Sequence, residues 1–182
     1  MPKIIQSLLL FIALSNISMA STQETAFLAE RGLAGKSVEQ MVDAIDQNPQ
    51  ARPLPYTASV TSTDLKLSAN GETYTFPLGE KFYLSLAPYE YQTHPCFNHS
   101  LSGCQGEMPD SWFDVNVTDR NGTVLIHKKM KSYQNGFIGL WLPRNTEGMI
   151  EISHEGKKAA YSFKTANDSQ TCLTDLQLRA AS

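Results

Sequence analysis

Three cysteines and four histidines are the residues of this 182-residue chain best suited to chemistry, and most of them crowd into one stretch. His94, Cys96, His99 and Cys104 read H-x-C-x-x-H-x-x-x-x-C, and Met108 follows four residues later. Cys172 stands apart, sixty-eight residues beyond Cys104 and just ahead of an apolar alternating run. Thiolates at two or three positions select Cu(I), Zn(II) or iron-sulfur clusters, because soft donors match soft ions. Cluster binding is disfavoured, since it calls for a four-cysteine pattern that the chain lacks. Two thiols can also give one electron each to Cu(II) and remain as a disulfide, so one set of residues can both reduce an ion and hold it. A structural reading competes with the metal reading: a Cys96–Cys104 disulfide closing a nine-residue loop, with Cys172 as a small buried hydrophobe. The sequence leaves both open. His94 and His99 are weaker candidate ligands than the cysteines. His127 and His154 lie in or beside strand-like runs and are assigned structural roles, and Met108 is assigned to packing.

The compartment bears on that choice. Residues 1–20, MPKIIQSLLLFIALSNISMA, carry one basic residue at Lys3, an apolar run from Ile4 to Leu14, and small residues at Ser18 and Ala20. That order is expected of a secretory signal peptide, which points to export and to a periplasmic location. The run is far shorter than the ~20 residues a membrane span requires, so no membrane anchor is expected. Taking Lys3 from the 15 basic residues leaves 14 against 18 acidic ones, a net charge of −4. A mildly acidic chain whose densest basic run is HKKMK at 127–131 has no nucleic-acid footprint. An odd cysteine count in an oxidising compartment leaves at least one thiol over. With 41% hydrophobic residues, a domain of this size needs no disulfide for stability, so the thiols call for another reason.

These residues must be positioned by the rest of the chain. From Thr22 to Asn48 the pattern is helical, with Ser37 and Gln40 as a capping box before Val38, Met41, Val42 and Ile45, and with Gly32 to Gly35 splitting two helices. Pro49, Pro53 and Pro55 punctuate a linker. Residues 21–55 are therefore expected to form a helical N-terminal segment and linker that serves as a dimerisation element. Residues 56–182 are expected to form the β domain that carries the site. Asn70-Gly71 between alternating runs predicts a hairpin, and further strand-like runs follow to Leu178. About nine short strands predict a mainly β fold, an antiparallel sandwich or barrel-like sheet with a short N-terminal helical segment. The gap from Ala87 to Asp110 breaks the strand pattern, and a connection of that length inside a compact β domain marks a functional loop. His94, Cys96, His99 and Cys104 all lie in it.

The apolar-rich leader, the helical segment, the CFNHSLSGC loop, the strand-rich body and the late cysteine of TCLTDLQL together resemble the CueP-type periplasmic copper-binding proteins of enteric bacteria. The likeness spans the whole chain, and its most specific part is the three-cysteine arrangement. It implies that Cys96, Cys104 and Cys172 handle copper, and their thiolate chemistry favours Cu(I) as the ion held, with Cu(II) as an incoming form. It further implies a homodimer that takes part in copper resistance, reduces Cu(II), and supplies copper to a periplasmic superoxide dismutase. No catalytic residue and no organic cofactor site is assigned.

Three other readings are weaker. A blue-copper electron carrier needs a histidine from an earlier strand, whereas His94 lies two residues from Cys96 in the same loop. A metal-free thiol-disulfide protein acting with periplasmic redox partners would normally carry C-x-x-C at a helix start, which is absent. A hydrolase would need a G-x-S-x-G or H-E-x-x-H motif, and neither occurs.

Overall fold

A computed structural model describes residues 22–180, so the expectation of a signal peptide at 1–20 lies outside the described residues. The chain divides into two compact units, one ending at Ser37 and the other beginning at Val38. In the first, helix α1 spans residues 22–30. The Arg31 guanidinium lies 3.8 Å from the centre of the Phe27 ring and donates to the Phe27 carbonyl, closing the helix end. Helix α2, Val38–Asp46, is grouped with the strands rather than with the residues before it.

In the second unit, α2 turns Met41, Val42 and Ile45 inward, the one-sided pattern that the sequence shows. Asp43 accepts a hydrogen bond from the Trp141 indole at 2.9 Å, and Lys81 reaches Glu39 at 3.0 Å. The carbonyls at the C-terminal end of α2 lack partners within the helix. Arg52 supplies them, donating to Ile45 at 3.0 Å, Asp46 at 3.1 Å and Asn48 at 2.9 Å. The same guanidinium donates through Nε to the Leu101 carbonyl at 3.0 Å. One cation at the negative end of a helix dipole therefore also ties that helix to the long loop.

Eleven strands follow among the described residues: β1 Thr57–Val60, β2 Asp64–Ala69, β3 Glu72–Pro77, β4 Lys81–Tyr89, β5 Trp112–Asp119, β6 Val124–Lys131, β7 Ile138–Pro143, β8 Glu147–His154, β9 Lys157–Lys164, β10 Cys172–Gln177 and β11 Arg179–Ala180. They form three sheets in the orders β1-β2-β3, β10-β4-β7 and β11-β9-β8-β5-β6. The predicted hairpin is β2–β3, and its turn residues Asn70 and Gly71 both take positive φ, 54° and 84°, as the tight hairpin turn demands. In the five-stranded sheet Phe113, Val115, Val117, Ile150, Ile152 and Phe163 alternate inward and meet Phe82, Leu84 and Leu86 of β4 and Ile138, Leu140 and Leu142 of β7. The basic run at 127–131 belongs to β6, and His127 and the lysines beside it are exposed.

The mainly β, sandwich-like fold is as expected, with open sheets rather than a closed barrel. One pairing departs from the antiparallel expectation: β10 runs parallel to β4. The chain leaves β9 in the large sheet, crosses the sandwich edge and enters the small sheet beside β4, so β10 is joined to β4 by no hairpin. Strand β4, buried from Phe82 to Ala87, reads as a nearly continuous apolar run for the same reason, since it is covered on both faces.

Gly139 on β7 sets a packing limit. A Cβ there would lie 2.6 Å from Cζ and 2.9 Å from Cε2 of the fully buried Tyr83 ring. Tyr83 packs on Trp141 with ring centres 4.8 Å apart, so it has no free direction in which to move. Gly139→Ala is expected to lower unfolding stability by about 1–3 kcal/mol in urea titration, the usual cost of overpacking.

Candidate metal centre

The long loop between β4 and β5 is held at several points by backbone pairing. Val60 and His99 form an antiparallel bridge, with the Val60 amide donating to the His99 carbonyl at 2.9 Å. The His99 amide donates to Thr171 Oγ1 at 3.0 Å, and that hydroxyl donates to the Val60 carbonyl at 2.7 Å. The amides of Thr171 and Cys172 both donate to the Phe97 carbonyl, at 2.9 and 3.1 Å. Residues 97–99 are thus laced between β1 and the start of β10, and this lacing carries Cys172 under the loop. A short turn follows, with the Cys104 amide donating to the Ser100 carbonyl at 2.9 Å.

The sulfurs meet above Phe137. Cys96 and Cys172 are joined as a disulfide with Cα atoms 5.6 Å apart, and Cys104 is a free thiol. Cys104 Sγ lies 3.7 Å from Cys96 Sγ. The local Cys96–Cys104 bridge considered from the sequence is therefore not the pair that forms. Lacing of the loop to β10 places Cys172 closer to Cys96 than the turn places Cys104. Cys172 is buried against Ala87 and Phe137, whereas Cys96 and Cys104 are partly exposed at the rim. A surface depression lined by His94, Ser100, Gly103, Cys104 and Gln105 gives solvent access to the free thiol.

Two groups of donors have the spacing to hold an ion: His94, Cys96 and Cys104, and His99, Cys104 and Cys172. Within each group the ligand atoms lie within 4.8 Å of one another. Both groups share Cys104, and each includes one sulfur of the disulfide. Oxidation of Cys96 with Cys172 thus withdraws a thiolate from both at once. All five residues nominated from the sequence converge here. His127 and His154 lie elsewhere: His127 is exposed on β6, and His154 Nδ1 is 2.8 Å from the Trp112 carbonyl. Met108 packs against the main core.

The electrostatic centre of the region was not singled out from the sequence. Asp46 is fully buried, and its carboxylate accepts hydrogen bonds from His99 Nε2 at 2.9 Å, Asn135 Nδ2 at 2.7 Å and the Tyr83 hydroxyl at 2.6 Å. Burial alone would raise the Asp46 carboxyl, but the charge of His99 and the three donors outweigh it and hold the group below its ordinary value. Burial would likewise lower His99, yet the adjacent carboxylate pushes it up to about 9. Tyr83, buried beside the same carboxylate, is raised well above the usual phenol range. His99 Nδ1, on the other edge of the ring, lies 3.8 Å from Cys172 Sγ. Phe137 supports the ring with centres 4.5 Å apart, and it meets the His94 ring edge-on at 6.3 Å.

This geometry can be set beside known proteins. The family described as periplasmic copper-binding protein CueP matches residues 40–177. The chain belongs to that family. A solved crystal structure of a CueP protein, S.CueP, is 67% identical to it with a TM-score of 0.85, and the alignment covers 86% of this chain and 97% of that chain. No curated protein matches the chain. The CueP match takes in α2 from its third residue, the whole loop and Cys172, so it spans the donor groups and the buried carboxylate together.

The far end of the loop is fixed by other contacts. Gly106 donates its amide to the Asn135 carbonyl at 2.6 Å, and a Cβ on Gly136 would come within 2.7 Å of the Gly106 carbonyl carbon, so the backbones touch only because both residues lack side chains. Next to it, the Glu107 carboxylate accepts the amides of Glu90, Tyr91 and Gln92 at 2.5–3.2 Å. Partial burial works against the charged form, but these three donors prevail and keep Glu107 below the ordinary 4.5. A depressed carboxyl stabilises the fold above its unfolded value and loses that contribution as pH falls through the folded value. Glu107→Gln is therefore expected to lower stability at pH 7, with the deficit shrinking as pH falls below 4.5 and through the folded value, as read by thermal unfolding across pH.

Proposed function

We propose that this CueP-family chain sequesters copper in the periplasm as Cu(I), through Cys96, Cys104 and Cys172 with histidine assistance. The carrying observation is a free Cys104 thiol 3.7 Å from one sulfur of a Cys96–Cys172 disulfide. That arrangement suits a division of labour. When copper arrives as Cu(II), the Cys96 and Cys172 thiols give up one electron each, two Cu(II) become two Cu(I), two protons leave, and a disulfide forms. Cys104 stays out of that bond and remains a thiolate ligand. In the fully reduced protein all three sulfurs are available, which suits Cu(I) better than a histidine-rich set would.

The test is anaerobic addition of Cu(II) to fully reduced protein, followed by a Cu(I)-specific chelator and a thiol count. The expected result is two thiols lost for two Cu(I) formed. Cys172→Ser should abolish most of the reduction. Cys104→Ser should preserve reduction but weaken Cu(I) retention, and by far more than His94→Ala does. Protein that binds Cu(II) and leaves it Cu(II) would reduce the role to storage. Equal copper binding by a triple Cys→Ser variant would discard the reading.

A second reading, thiol-disulfide exchange without metal, draws on the same 3.7 Å approach, because a thiolate so close to a disulfide sulfur is placed to attack it. Disulfide rearrangement with unchanged copper affinity across the cysteine variants would favour it.

Delivery to a periplasmic superoxide dismutase and contribution to copper resistance rest on the resemblance drawn from the sequence, and they complete the proposal as its downstream steps. The same resemblance supports a homodimer, and the helical segment with its proline linker, residues 21–55, is the dimerisation element that the sequence pattern suggests. Since α2 carries Asp46 and is bonded to β4 and β7, the informative truncation stops before Val38. Deleting residues 21–37 is expected to convert a dimer to a monomer in sedimentation while strand content is retained. A truncated dimer would refute the assignment.

A further inference from the structure

The buried carboxylate on α2 extends the copper reading above and rests on it. We propose that Asp46 is a positioning residue of the copper site: by accepting the Nε2 hydrogen of His99 it fixes the imidazole with Nδ1 towards Cys104 and Cys172, which makes His99 rather than His94 the nitrogen donor to the bound ion.

Asp46 Oδ1 takes hydrogen bonds from His99 and Asn135, and Oδ2 takes one from Tyr83. Asp46, His99 and Tyr83 are each fully buried. A carboxylate saturated by three donors in a dry environment cannot turn without abandoning one of them, and the cost of a buried orphan keeps it in place. His99 is equally constrained. Its amide and carbonyl are taken by Thr171 and Val60, and its ring lies on Phe137. With Nε2–H committed to Asp46, the nitrogen that a metal ion can take, by displacing its proton, is Nδ1, the one that faces the sulfurs.

Histidines that bind metals commonly donate their second N–H to a carboxylate, which settles the tautomer, orients the ring and raises ligand basicity. Asp46 and His99 reproduce that relation, with the carboxylate supplied fifty-three residues earlier in the chain. His94 is partly exposed, and its ring meets Phe137 only edge-on. Helix α2 is thereby part of the binding apparatus, and Arg52, which grips both the α2 carbonyls and Leu101 in the loop, keeps helix and loop in register.

The test compares reduced wild-type protein with Asp46→Asn, which preserves size, and with Asp43→Asn, which disturbs the Trp141 bond three residues earlier on the same helix. Cu(I) affinity is measured by chelator competition, and the imidazole nitrogens are followed by long-range 1H–15N NMR. On adding Cu(I) to wild type, the His99 Nδ1 resonance should shift while Nε2 stays protonated, and His94 should be unaffected. Asp46→Asn should weaken Cu(I) binding about 10–100-fold, the usual effect of removing such a partner, and Asp43→Asn by less than about 3-fold. If Asp46→Asn does not fold, the wild-type NMR decides alone. Thiolate-bound copper with an unmoved His99 Nδ1, or equal losses in the two variants, would overturn the role of Asp46 and leave the cysteine site standing. Copper that binds equally well without the cysteines would overturn both.

Discussion

A carboxylate cut off from water must be compensated where it stands, and the region around the cysteines is organised by that requirement. Asp46 has no accessible surface, so its charge persists only because His99, Asn135 and Tyr83 all point at it. Those donors come from the loop, the turn before β7 and the central strand β4. Satisfying one charge therefore fixes three separate elements relative to α2. Breaking a network of this kind by removing one member is far more damaging than its net contribution suggests, because the remaining groups are left buried and unpaired.

The sheets contribute a different kind of constraint. Strand β4 lies between β10 and β7 and supplies residues to both its faces: Phe82, Leu84 and Leu86 to the sandwich core, and Tyr83 to the polar network. Because strand side chains alternate, the core and the network are locked in register, and a slip of one position would exchange them. The parallel entry of β10 has a similar effect. Its first residue is Cys172, so the start of the strand and the position of the sulfur are one decision.

Much of this was legible in the sequence, and the reasons for what was not are specific. Alternation and turn residues located most strands, and the Asn70-Gly71 hairpin came with its conformation, because those signals are local. The loop announced itself as a gap in the pattern. β1 leaves little trace in the sequence, since Thr57-Ala58-Ser59-Val60 has small residues where strands usually carry bulk, although Ala58 and Val60 are fully buried. The disulfide partner of Cys96 depended on long-range lacing that spacing cannot express. Asp46 was hidden because an aspartate near the end of a helix looks like ordinary surface charge. Asn135 stands in Gln134-Asn135-Gly136, a composition that marks a turn and says nothing of a buried partner. The histidines of the loop could not be ranked without knowing that one of the two had a carboxylate behind it.

The two cysteines that Cys96 can reach lie at very different distances along the chain: Cys104 is 8 residues away and Cys172 is 76. In an unfolded chain, closing the longer loop costs about 2 kcal/mol more by the logarithmic dependence of closure entropy on length, roughly a thirty-fold preference for the short loop. An oxidant that meets the chain before it folds will therefore join Cys96 to Cys104 first. The pairing in the folded protein requires residues 97–99 to be already laced to Thr171 and Cys172, contacts of high sequence separation that form late. Oxidative pairing in this protein is thus a contest between the speed of oxidation and the speed of sheet assembly, and chains that lose it must reshuffle a bond to reach the Cys96–Cys172 pairing.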